Sequence, residues 1–178
     1  MNMFRIWVLG LLVFILAGCS ASIDGSKYQQ TTPPLSLEAF FVGDVKAWGI
    51  VQNRSGDVVQ RFTVDIKGSM DGDTLVLDES FNYEVGEGPM QRTWRITPTG
   101  NGVYEGRAGD ILGVATGTSY GNAFNFQYEM DLPVDDTTYQ VAFDDWFWAM
   151  GDGTLMNRSY VKKFGLVMAE VTIFMQQQ

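Results

Sequence analysis

The chain has 178 residues, with 12 Lys and Arg against 21 Asp and Glu, a net charge of −9, no His and a single Cys. Without imidazole and with one thiol, it excludes Ser-His-Asp and Cys-His catalysis, zinc or haem held by side-chain nitrogen or sulfur, and an intrachain disulfide. The acidic balance repels phosphate backbones, so nucleic acid is not an expected partner; no metal and no cofactor is expected either.

Residues 1–18 have the layout of a secretory signal peptide. Arg5 supplies the positive end, Ile6 to Leu16 form the apolar core, and small residues close it. That run is short of the roughly 20 apolar residues a spanning helix needs. It ends in Leu16-Ala17-Gly18-Cys19, which resembles the bacterial lipobox, where the Cys is acylated and becomes the first residue. The resemblance implies lipidation at Cys19, and a membrane reached through N-terminal acyl chains, more than one of which is needed for stable anchoring. Ser20 follows the Cys where Asp would imply inner-membrane retention, so the expected location is the bacterial cell envelope, at the outer membrane and facing the periplasm. Residues 19–36 are rich in Ser, Thr, Gln and Gly with Pro33-Pro34 near the end, which reads as a flexible tether.

From Leu37 to Gln178 the character changes to that of one β domain. Turn clusters recur at Asn53 to Asp57, Gly68 to Asp73, Gly86 to Pro89, Pro98 to Gly102, Ser119 to Asn122, Pro133 to Asp136, Gly151 to Gly153 and Lys163 to Gly165. Between them lie runs of Val, Ile, Phe, Tyr, Trp and Thr with alternating polarity, which implies about nine strands. A single turn of helix is allowed near Leu35 to Phe41. Phe62, Val64 and Ile66 oppose Arg61, Thr63, Asp65 and Lys67, and Phe124, Phe126, Tyr128 and Met130 oppose Asn125, Gln127, Glu129 and Asp131. One face is dry and the other wet, as in antiparallel sheets joined by hairpins. The expected fold is all-β, a single antiparallel up-and-down barrel of about 8–10 strands, which hides both sheet edges. A sandwich is the second choice, and a porin-like barrel is disfavoured by charge on the polar faces.

Two charges share parity with the core: Glu79 between Leu77 and Phe81, and Arg92 between Met90 and Trp94. Pairing through the turn at Gly86 to Pro89 sets Tyr83 or Phe81 opposite Arg92, leaving Glu79 within diagonal reach. A lone buried charge is costly, so the two should compensate each other or meet a bound headgroup. The acidic and aromatic stretch Asp144-Asp145-Trp146-Phe147-Trp148, facing Asn157-Arg158, suggests a second inward polar group. A structural ion pair is the preferred reading of both. Adjacent carboxylates point to opposite faces of a strand, so Asp144 and Asp145 form no glycosidase-type dyad.

The series Glu79-Ser80-Phe81, Arg92-Thr93-Trp94, Tyr104-Glu105-Gly106, Ala108-Gly109-Asp110, Asp144-Asp145-Trp146, Asn157-Arg158 and Lys163-Phe164-Gly165 resembles the proteobacterial lipoproteins grouped as domain-of-unknown-function family 3833. The resemblance spans most of the chain after Leu37 and includes the lipobox. It implies a lipocalin-like barrel in the envelope and points toward lipid ligands. On that expectation the chain is a binding module for a hydrophobic, fatty-acyl type ligand. Phe81, Trp94, Phe126, Tyr128 and Trp146 line its interior, Arg92 or Arg158 meets an anionic end, and Glu79 and Asp145 are the inward acids. A solid barrel acting through its outer surface is the alternative, and a lipid-modifying enzyme with Glu79 or Asp145 as general base ranks last.

Overall fold

A computed structural model describes residues 22–134 and 136–178; the signal segment and Cys19 lie outside the described residues. Strands β1 (Gly43–Asn53), β2 (Val58–Asp71), β3 (Thr74–Val85), β4 (Gln91–Gly100), β5 (Val103–Arg107), β6 (Ile111–Tyr120), β7 (Ala123–Val134), β8 (Thr137–Gly151), β9 (Thr154–Lys163) and β10 (Leu166–Gln177) run in sequence order. Each is antiparallel to the next, and β10 closes onto β1. The result is a closed up-and-down barrel with ten strands, one more than the turn clusters implied. The extra corner is Ala108-Gly109-Asp110, which separates β5 from β6 and carries none of the usual Pro or Asn signals.

Turn chemistry explains the tight hairpins. At Asn101-Gly102, Asp152-Gly153 and Phe164-Gly165 both central residues have positive φ, the backbone of a two-residue turn whose twist matches the flanking strands. The alternation then fixes what faces inward. Phe62, Val64, Ile66, Leu75, Leu77, Trp94, Ile96, Phe124, Phe126, Tyr128 and Met130 are all buried in one core. At β5 and β6 the wall is made thin: a Cβ on Gly106 would collide with the Phe126 ring, and one on Gly117 with Phe124. Space left beside those glycines is taken up by aromatic rings.

The two barrel ends differ. One end holds the β2–β3, β4–β5, β6–β7 and β8–β9 turns and is plugged by a short helix, α1 (Leu37–Phe41). Ser36 caps α1 by accepting from the Ala39 N–H, the arrangement that satisfies an otherwise orphaned donor. Leu37, Phe40 and Phe41 are buried, and Gln177 Nε2 donates to the Ala39 and Phe40 carbonyls at 2.9 Å each. Gly68 lets the Phe41 carbonyl lie against β2, where a Cβ would overlap it. The opposite end carries the β1–β2, β3–β4, β5–β6, β7–β8 and β9–β10 turns.

Within the segment 19–36, expected to be a flexible tether, part of the described residues 22–36 is docked on the barrel. A 3₁₀ turn at Gly25–Tyr28, capped by Asp24, packs on the outer face of β6 to β8. Tyr28 meets Trp146 and Trp148 with ring centroids at 6.1 and 6.2 Å, and Leu35 N–H donates to the Gly121 carbonyl at 2.9 Å. Polar composition concealed this because two aromatic residues on the outside of β8 supply the docking surface. Among the described residues no helix is long and apolar enough to cross a membrane.

Candidate functional site

The site is assembled from strand register. Glu79 pairs directly with Arg92 across β3 and β4, as Leu77 does with Trp94. The turn is longer than expected, so neither Tyr83 nor Phe81 stands opposite Arg92 as the sequence reading proposed. On the far wall Phe126 pairs with Asp145, Tyr128 with Phe143, and Asp145 with Ser159. Since Phe126 and Tyr128 face the core, Asp145 and Ser159 face it too. Glu79, Arg92, Trp94, Phe126, Tyr128 and Asp145 thus share the interior.

Two residues do not. Trp146 and Arg158 pair with each other, one step out of phase with Asp145 and Ser159, and both are on the outer face. Trp146 is buried there by Tyr28 and Tyr120. Arg158 is half-exposed, its Nε 3.8 Å from Glu170. The expectation that Trp146 lines the interior and that Arg158 meets a ligand is therefore corrected: a one-residue phase difference along a strand reverses the face. The inward residues at that level are Asn157 and Ser159, both buried.

Arg92 is held by Asp110, which the sequence reading had not singled out as a site residue. Nη2 and Nε lie 2.7 and 2.9 Å from the same oxygen, Oδ2. The guanidinium also sits 6.0 Å from the Phe81 ring and 5.8 Å from the Trp94 ring, within the range of cation–π attraction. Asp110 closes the β5–β6 corner, so that turn reaches back to β4 through this contact.

Three carboxyl groups therefore share one guanidinium. Burial pushes Glu79 up to about 7, with Arg92 pulling the other way and Asp110 and Asp145 adding repulsion. Burial likewise pushes Asp145 up to about 7, against hydrogen bonds from Ser159 and Tyr128 and the charge of Arg92. Tyr128 is raised well above its ordinary range by its own burial and by Asp145, so it stays a neutral donor. Asp145 Oδ1 and Asp110 Oδ1 are buried without a hydrogen-bond partner.

Asp144, on the outer face, behaves differently. Burial alone would raise it, but hydrogen bonds from Lys162, Asn125 and Gln127 outweigh that and hold it below the usual carboxylate range. It is a structural tie between β7, β8 and β9. The adjacent carboxylates thus divide as strand geometry demands, one tying the wall together outside and one facing in.

Around the inward polar group stand rings in contact. Tyr128 stacks on Phe143 at 4.9 Å, and Trp94 meets Phe126 and Tyr128 edge-on at 5.1 and 5.2 Å. Phe143 had not been singled out, although the parity of Asp145 implies it. Among the described residues no group of three or more His, Cys, Asp or Glu is arranged to hold a metal ion. What the arrangement offers is a buried cluster of rings and acids with acceptors in excess, two of its carboxyls pushed up to about 7.

The chain matches no curated protein. Among solved structures it is similar to the S-type phycobiliprotein lyase CPES from Guillardia theta, at 11% identity and a TM-score of 0.57, over 88% of this chain and 99% of that one. The likeness is one of fold, a lipocalin-like barrel. With a matching family model over residues 13–177, the chain belongs to the family described as protein of unknown function DUF3833.

Proposed function

We propose that the protein is an envelope lipoprotein, anchored through acylated Cys19, whose barrel binds an apolar small molecule. The observation that carries the binding reading is a gradient of burial along the inward face of β3. Near the plugged end Leu75 and Leu77 are 1% and 4% exposed, whereas Glu79, Phe81 and Tyr83 toward the other end are only partly buried. On β3 the deep positions are packed and the outer ones keep accessible surface, while Met130, Val141, Ser159 and Val161 on the facing β7 to β9 wall are buried, so any opening lies toward β3. A barrel of this size is just wide enough for one small ligand.

The rim at that end is also apolar. Phe164 is 93% exposed and Met90 64%, and Val58, Val85, Val134 and Leu166 around the same end are exposed as well. Exposed apolar groups gathered about an opening suit the capture of an apolar molecule. A barrel of the same fold serves a phycobiliprotein lyase, which is compatible with a ligand-handling role.

The test uses the neutral fluorophore N-phenyl-1-naphthylamine. The full-length protein should enhance its emission saturably at about one equivalent, and Ala169→Trp, at a partly buried inward position of β10 opposite the buried Val161, should abolish the enhancement. No saturable enhancement, or enhancement unchanged by Ala169→Trp, rejects a ligand-binding interior in favour of a solid barrel. For the anchor, incorporation of a labelled fatty acid in cells should be lost in Cys19→Ser; persistence of the label would reject that assignment.

A further inference from the structure

The polar end of the ligand is set by what the interior lacks. Taking the proposed binding interior as given, we infer that the barrel selects an apolar molecule whose polar end is a hydrogen-bond-donating cationic nitrogen, seated against Asp145 and Glu79, and that it discriminates against a carboxylate end. The inference rests on the binding reading above, and it replaces the sequence-based expectation of an anionic end at Arg92.

Arg92 is already engaged. Its Nε and Nη2 both reach Asp110 Oδ2, so the cation that would meet a ligand carboxylate is neutralised by the protein. Against it stand Glu79 on β3, Asp110 at the β5–β6 corner and Asp145 on β8. Asp145 is 7% exposed, lies beside Tyr128 and Ser159, and its Oδ1 is buried without a hydrogen-bond partner. A buried acceptor left unmade costs free energy that a donor from a ligand would recover. A carboxylate would bring a further negative charge and two more acceptors; an ammonium brings what is missing. Tyr128, stacked on Phe143 and met edge-on by Trp94, lies beside Asp145, and aromatic surroundings favour cations over anions.

The ionisable and polar groups facing this position are Glu79 and Tyr83 on β3, Arg92 on β4, Asp110 at the β5–β6 corner, Tyr128 on β7, Asp145 on β8, and Asn157 and Ser159 on β9. With Glu79 and Asp145 both titrating at about 7, a cation held between them gains as they ionise. An alkylammonium remains protonated throughout this range, because its pKa lies near that of Lys, about 10.4.

The experiment compares matched chains, n-dodecylamine and dodecanoic acid, below their aggregation limits, as competitors for bound N-phenyl-1-naphthylamine at pH 7.5. Dodecylamine should displace the probe at a concentration at least tenfold lower than dodecanoate. That preference should shrink to less than threefold in Asp145→Asn and in Glu79→Gln, both checked for an unchanged far-ultraviolet circular dichroism spectrum, and should grow between pH 6 and pH 8. The acidic surface could draw amines non-specifically, so Glu84→Gln, which removes an exposed outer charge, serves as control and should keep the full preference. Equal or better displacement by dodecanoate overturns the inference while leaving the binding interior standing. A preference that survives both interior variants, or is lost in Glu84→Gln, overturns the assignment to Asp145 and Glu79. Failure of the probe itself to bind overturns both readings.

Discussion

Arg92 and Asp110 form the one ion pair seen inside the mouth of the barrel among the described residues, and both contacts converge on a single carboxylate oxygen at 2.7 and 2.9 Å. The pair joins β4 to a corner that has few other reasons to stay in place, since β5 is only Val103–Arg107 and its ladder with β6 ends at Gly106 and Ala115. Removing Asp110 takes away the hydrogen-bonded partner of Arg92 in a poorly solvated position and leaves it only the charge of Glu79 and Asp145. Asp110→Ala should lower stability by about 2–3 kcal/mol. Replacing both partners with apolar residues, Arg92→Met with Asp110→Leu, should recover much of that loss at pH 5, where Glu79 and Asp145, which also face Arg92, are protonated. Denaturant unfolding of the two single variants and the double variant measures the coupling, and additive losses would show that the contact is not energetically a pair.

The raised carboxyls make stability depend on pH in a defined direction. In the unfolded chain Asp145 and Glu79 titrate near 3.8 and 4.5, and in the folded barrel both sit at about 7. Between those values the folded state holds more protons, so stability falls as pH rises, and the loss is complete above the folded values. The unliganded protein should therefore be more stable at pH 5 than at pH 8. Asp145→Asn should flatten the curve by about 2–4 kcal/mol over that interval. Asp144 is shifted the opposite way, so its contribution is lost only as pH falls below the ordinary carboxylate range, outside this window. Midpoints of urea unfolding across pH give the comparison, and a parallel pair of curves would sink it.

Strand identity and inward parity were legible because alternation is a local property of the chain. It set Glu79, Arg92, Trp94, Phe126 and Tyr128 correctly on the inner face. What alternation does not contain is registration between strands, which depends on turn length, and the β3–β4 turn proved long enough to bring Glu79 directly opposite Arg92. Asp110 escaped notice for a related reason. Its corner has weak turn chemistry, so Ala108 to Asp110 read as part of a continuous strand, and its role comes from a contact across 18 positions in sequence. Trp146 and Arg158 were misassigned because a run of aromatics such as Trp146-Phe147-Trp148 is apolar on both faces. Only the docked segment at Tyr28 shows which face is covered from outside.

Glycine at position 106 is a packing requirement of the interior. A Cβ there would fall on the Phe126 ring, which is itself fixed by contact with Trp94, so it has little room to give. Gly106→Ala should cost about 1–3 kcal/mol as an overpacked core substitution. Gly109 provides the contrast, since a Cβ there meets nothing within 4 Å and its φ is not in the left-handed region. Gly109→Ala should be neutral or stabilising by up to about 1 kcal/mol, through the unfolded chain. Thermal unfolding of the two variants side by side distinguishes them, and equal effects would refute the packing account.

Phe164 occupies a turn position that suits it badly. Its φ is 51°, and it is followed by Gly165 in the same two-residue turn geometry that Asn101-Gly102 adopts. A bulky side chain in the left-handed region is strained, whereas Asn tolerates it. The ring is 93% exposed, so little packing offsets the strain, apart from Lys163 Nζ 5.4 Å from its centroid. Phe164→Asn should therefore raise stability by about 0.5–1 kcal/mol. The same ring stands on the apolar rim of the accessible end, where an aromatic has a use that stability does not reward. The stabilised variant should accordingly take up N-phenyl-1-naphthylamine more slowly than the parent in stopped-flow fluorescence, with an unchanged enhancement at saturation. A variant that gains stability and takes up the probe at the parental rate would leave Phe164 without a part in ligand capture; one that loses stability would contradict the reading of strain.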